Sequence, residues 1–104
     1  MSQIPTKARQ VVRERSNDQC SRCGVRGAEI HHRQRRREGG HGYENLVLLC
    51  GTDHRWVHAH PAAARDAGYI IPISVEDISA VPIKSFAGWV LFDEDGGITG
   101  TTAP

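Results

Sequence analysis

All three cysteines and five of the six histidines lie between residues 20 and 58. Side chains placed only for packing would not be missing from residues 61–104, where most of the Ile and both Phe sit. Cys20-Ser-Arg-Cys23-Gly24 is a C-x-x-C knuckle whose glycine permits the turned backbone that brings two thiolates onto one ion. Cys50, at the end of the apolar run Leu46–Leu49, supplies a third thiolate, and this is the spacing of a tetrahedral zinc site. A second knuckle begun at Cys50 would need a cysteine at position 53, where the chain has Asp53. Asp53 can ligate through oxygen, and His54 or His41 are alternatives for the fourth corner. The other constellation is His31-His32 with His54 and His58. Neighbours on a strand face opposite ways, so one of the first pair suits a metal and the other a substrate. His54 and His58, four apart, share a helix face and reach a single ion.

These side chains need elements to hold them. Pro5 with Ala8, Val11 and Val12 at helical spacing predicts a helix over residues 5–17, ended by the polar turn Ser16-Asn17-Asp18. A short strand is expected over Ala28–Arg33. Residues 34–44, with three consecutive arginines and three glycines but no apolar period, read as an exposed loop. Asn45 then opens a buried strand, Leu46–Leu49, followed by a helix from about Thr52 to His58, capped by Thr52 or Asp53. Pro61 begins a second helical piece, Ala62–Ala67, closed by Gly68. Beyond it Tyr69–Ser74, Ala80–Ser85 and Gly88–Asp93 read as strands, the first two demoted to edges by proline. Asp95-Gly-Gly97 is a turn before Ile98 and Thr99, and the Gly-Thr-Thr-Ala-Pro end is expected to fray.

With 104 residues, 38% hydrophobic and 6% aromatic, the chain has room for one small domain with a core thin enough to need a metal staple. No apolar run approaches the roughly 20 residues of a bilayer span, and the first residues lack the pattern of a signal peptide. A soluble cytoplasmic protein is expected. There an odd cysteine count disfavours a disulfide framework, and a thioredoxin-like redox pair lacks its βαβ context. The net charge of +1 conceals polarity: residues 1–59 carry 11 Lys+Arg against 6 Asp+Glu, and residues 60–104 carry 2 against 6. A basic first half argues for a polyanionic partner, most often nucleic acid.

Ile30-His31-His32-Arg33, Asn45–Cys50 and His54-Arg-Trp-Val-His58 resemble, in order and spacing, the three segments of the HNH endonucleases. The resemblance covers roughly residues 18–60 and extends to the knuckle that small bacteriophage members place before the first strand. It implies an α+β fold: a ββα-metal, treble-clef-like core over residues 1–63, with an N-terminal helix, and a β-rich acidic extension over 64–104 packed on the same domain. It implies that His31, His54 and His58 bind a catalytic divalent ion, that His32 is the general base, and that Asn45 fixes the loop carrying that base. Cys20, Cys23 and Cys50, with Asp53 where zinc-bearing members usually have Cys, then form the structural zinc site. Bacteriophage origin, and work beside phage packaging proteins, follow only by analogy.

The chemistry agrees with these roles. Phosphodiester hydrolysis needs water deprotonated near pH 7, within reach of a histidine whose ordinary pKa is about 6.5. It also needs relief of charge on the phosphate, which a divalent ion with open positions gives. Nitrogen ligands fit zinc, nickel or manganese, while magnesium prefers oxygen, and the choice among the four stays open. Arg33, Arg35, Arg36 and Arg37, beside a glycine-rich loop, are expected to grip double-stranded DNA by its phosphates, with little base reading. The expectation is a metal-dependent DNA endonuclease that nicks or cuts with low sequence specificity. The alternative is a non-catalytic zinc-knuckle DNA-binding module, and a weaker third is an adaptor that uses its acidic tail.

Overall fold

The computed structural model describes residues 3–104. At its centre is the antiparallel pair β1 (Glu29–His32) and β2 (Leu46–Leu49), in the register Glu29↔Leu49, Ile30↔Leu48, His31↔Val47 and His32↔Leu46. All four residues of β2 are buried, because both faces of the pair are covered. Side chains alternate across a strand, so Leu46 and Leu48 join one cluster and Val47 and Leu49 another. The first cluster receives Ile4, Ala8 and Val12, on and just before helix α1 (Thr6–Arg15). The second receives Val57 of helix α3 (Gly51–Ala59), Ala64 of helix α4 (Pro61–Asp66), Tyr69, Ile83 and Phe92. This parity separates the adjacent histidines: His31 lies on the α3 face with Val47, and His32 on the α1 face with Leu46.

Helix α1 starts one residue after Pro5 and stops where Asn17 and Asp18 turn left-handed at φ 54° and 58°, a conformation these two types tolerate better than most. The knuckle turns at Gly24, φ 83°, and is closed by an isolated bridge between Gln19 and Arg26. A second sheet, β3 (Ile83–Ser85), β4 (Gly88–Phe92) and β5 (Ile98–Gly100), lies in the acidic stretch, with β3 at its edge as Pro82 requires. It is tied to the first half of the chain. The amide of Phe86 donates to Ser21 O, and Phe92 packs under the guanidinium of Arg15 at 3.5 Å. Among the described residues no helix is long and apolar enough to cross a membrane.

Three expectations change. Residues 34–44 are not a plain exposed loop: they contain one helical turn, α2 (Arg36–Gly39), and the 3-10 turn Tyr43–Asn45 begins within them. Gln34 is buried, its amide donating to Pro72 O and Val75 O. Tyr69–Ser74 is no strand, since the carbonyl of Tyr69 contacts the His31 imidazole and that of Pro72 takes the Gln34 amide, leaving one ladder-like bond, Ile71 N to Arg33 O. The cap of α3 is neither Thr52 nor Asp53 but Cys50, whose sulfur accepts the Asp53 amide at 3.4 Å.

Candidate metal centres

The cysteine cluster is assembled from three places. Cys20 and Cys23 come from the knuckle, Cys50 from the end of β2, and Asp53 from the first turn of α3. One ligand atom from each of the four lies within 4.8 Å of all the others. Cys20 Sγ is 3.2 Å from Asp53 Oδ2, and the sulfurs of Cys23 and Cys50 are 3.8 Å apart. Asp53 is therefore in the cluster, whereas His54 and His41, the alternatives for its corner, are engaged elsewhere. The Asp53 carboxylate pushes the Cys23 thiol up to about 12, with burial adding to the effect, and burial raises Cys20. Burial alone would raise Asp53, but hydrogen bonds from Cys23, Cys20, Arg22 and Cys50 hold it low. Four potential anions at this spacing repel one another, and a dication among them removes the repulsion.

The imidazole cluster lies along the same helix. Ligand nitrogens of His31, His54 and His58 are within 4.8 Å of one another, with ring centroids 5.1, 5.6 and 5.0 Å apart. Each of the first two rings has one nitrogen already committed. His31 Nε2 lies 2.8 Å from the carbonyl of Tyr69, which only accepts, so it carries the proton and Nδ1 keeps the lone pair. His54 Nδ1 meets Glu29 Oε1 at 2.5 Å, which leaves Nε2 for a metal. Glu29 is two residues before His31 and on the same strand face, and such an outer partner orients a ligand and raises its basicity. Burial lowers His31 to about 4, with the charges of His54 and His58 acting the same way, so it is neutral at pH 7 as a ligand must be. His31 is buried, His54 half-buried and His58 exposed, so the cluster opens to solvent at one end.

His32 is not brought into this trio. Its Nε2 lies 3.0 Å from His41 Nδ1, and burial, with Arg36 and His41 nearby, lowers it to about 4. Behind it the chain is clamped by Asn45, fully buried, whose Oδ1 accepts from Gln34 N at 2.7 Å and whose Nδ2 donates to Gln34 O and Gly40 O.

Arg33, expected among the phosphate-gripping arginines, is a correction. It is 2% exposed, and its guanidinium donates to the carbonyls of Gly68, Glu44 and Val81. On a strand the residue after His32 turns to the face covered by the C-terminal half, so its charge is spent inside. Arg35, Arg36 and Arg37 are exposed, Arg35 pairing with Glu38 at 3.2 Å. Glu29, Arg22 and the Tyr69 carbonyl went unrecognised in the sequence, and His41 was read only as an alternative zinc ligand and not as the partner of His32. Only Glu29 had a local signal, its same-face spacing from His31.

Two antiparallel strands and a helix carrying both clusters define a small α+β, ββα-metal core. Residues 20–60 match the family model described as HNH endonuclease, and the Cys/His clusters within them fit a zinc-binding HNH domain. A domain of this family points to nuclease or DNA-binding work with metal-binding residues. No curated protein and no solved structure matches the chain.

Proposed function

We propose that the protein is a metal-dependent endonuclease that hydrolyses phosphodiester bonds of double-stranded DNA with little sequence preference. The observation that carries this reading is the convergence of three imidazoles, two of them fixed by outer partners, on one solvent-open point. His31, His54 and His58 would hold a divalent ion there, and when bound it supplies Lewis-acid relief of charge on the phosphate and the leaving 3′ oxygen. His32 is the general base. In the tautomer whose Nε2 donates to His41 Nδ1, which lies 3.0 Å away, Nδ1 accepts the proton of the attacking water as the new P–O bond forms and the bond to the 3′ oxygen breaks. Asn45 fixes the loop carrying that base through its bonds to Gln34 and Gly40. Arg35, Arg36 and Arg37 contact DNA phosphates. Cys20, Cys23, Cys50 and Asp53 hold a structural zinc, and residues 64–104 brace the same domain by anchoring His31 and Arg33. A phage-encoded origin rests on the resemblance alone. Supercoiled plasmid incubated with the protein and Mg²⁺, Mn²⁺ or Ni²⁺ tests the reading. Wild type should nick or linearise it and His32→Ala should not, while binding of DNA without cleavage under every ion would leave the zinc-knuckle binding module in its place.

A further inference from the structure

Asp53 is the donor whose chemistry is out of place in the cysteine cluster, a hard oxygen among soft sulfurs. Its two oxygens are divided between partners. Oδ2 lies against Cys20 Sγ, while Oδ1 accepts from an Arg22 terminal nitrogen at 2.7 Å. The carboxylate is buried and the arginine side chain is 36% exposed, so Arg22 closes the site from outside. The guanidinium is itself held, with its carbon 3.6 Å over the ring of Trp56. Trp56 is three residues after Asp53 on α3, so the helix presents carboxylate and indole side by side, and one planar cation bridges both. Arg22 stands between Cys20 and Cys23, so the knuckle that supplies two sulfurs also supplies the countercharge for the fourth donor. Three thiolates and a carboxylate exceed the charge of a zinc ion, and the guanidinium offsets part of that excess.

We infer that Arg22 is a positioning residue that presents Asp53 to the metal through one oxygen, and so lets a carboxylate complete a site otherwise built of thiolates. The inference rests on the structural-zinc reading above.

The test is a double-mutant cycle read by zinc affinity, measured in the full chain by competition with a chromophoric chelator. Arg22→Gln should weaken zinc about tenfold or more, as loss of an outer partner typically does. Asp53→Cys should bind at least as tightly as wild type. In that background Arg22→Gln should cost much less, since a thiolate has no second oxygen to hold and only the charge of the guanidinium remains to be lost. Cobalt substitution gives an independent readout: the sulfur-to-metal charge-transfer band should gain intensity in Asp53→Cys as a fourth thiolate joins. An equal loss from Arg22→Gln in both backgrounds would assign the residue to general countercharge or to packing on Trp56 and overturn the inference. Unchanged affinity in the single variant would overturn it as well. If Arg22→Gln does not fold, Arg22→Lys, which keeps the charge but not the planar fork, is read through the same cycle. A wild-type chain with no tightly bound zinc would instead defeat the zinc reading itself.

Discussion

Helix α3 contributes to two clusters that could each hold a metal ion, Asp53 belonging to one and His54, the next residue, to the other, yet they are built on opposite plans. The cysteine cluster has four donors, two of them buried, with an arginine supplying countercharge. The imidazole cluster has three nitrogen donors, graded from buried His31 to exposed His58, held from behind by a carboxylate and a carbonyl. Four donors complete a tetrahedral shell and favour a permanent ion, while three leave room for water and substrate. The helix periodicity makes the two plans compatible. Residues 54 and 58 share one face and residue 53 turns about 100° away from 54.

The sharpest way to break this contrast is to open the closed cluster. Cys20→Ser should lose the tight zinc and unfold the chain, because structural zinc contributes about 10–16 kcal/mol in small zinc-dependent domains. Circular dichroism with metal analysis reads both, and a folded, zinc-free variant would remove the structural role. His54→Ala should do the reverse, leaving the fold and the tight zinc while abolishing cleavage and the exchangeable ion. Full occupancy of both metals with activity intact would show that the imidazole cluster is not the catalytic site.

His32→Ala should lower cleavage by about 10²- to 10⁴-fold, the usual contribution of a positioned general base, with both ions retained. An equal loss of metal would exchange the roles of His31 and His32. The pH profile sharpens the same point. A pKa lowered to about 4 keeps His32 neutral, and able to accept a proton, well below the ordinary histidine range. The acid limb of kcat/KM should therefore lie below pH 6 and not near 6.5, unless loss of the metal intervenes, which metal content measured alongside would reveal.

A smaller effect is expected from Glu29→Gln. Without the carboxylate behind His54, affinity for the exchangeable ion should fall about 10- to 100-fold while the tight zinc is untouched. Titration calorimetry with Mn²⁺ or Ni²⁺ decides it, and an unchanged isotherm would reduce the Glu29–His54 pair to an exposed ion pair of little consequence. The smallest change is in the arginines. Replacing Arg35, Arg36 and Arg37 by Ala should reduce the slope of log K against log salt by about 0.9 for each phosphate no longer neutralised, equally on unrelated duplexes. A slope that does not move would transfer the DNA grip to Lys7, Arg9 and Arg13 of α1.

Sequence alone determined what local spacing determines. The C-x-x-C knuckle, the i, i+4 histidines, the alternation that separates His31 from His32 and the apolar run of β2 all follow from residues within a few positions of one another, where backbone geometry fixes direction. The hairpin and α3 followed for the same reason. Tertiary structure alone decided how long-range partners share out buried polar groups. Arg33 looked like its neighbours in the arginine run, but the C-terminal half folds over it and offers Gly68 and Val81 carbonyls, so a charge expected to meet DNA is buried. Tyr69–Ser74 had strand composition, but its carbonyls at Tyr69 and Pro72 meet His31 and Gln34. Likewise the fourth corner, read as Asp53 with His54 or His41 as alternatives, stayed open until packing brought Arg22 onto Asp53, Glu29 onto His54 and His32 onto His41. A buried polar group must find a partner, and which partner it finds depends on where distant segments of the chain arrive, which no local pattern encodes.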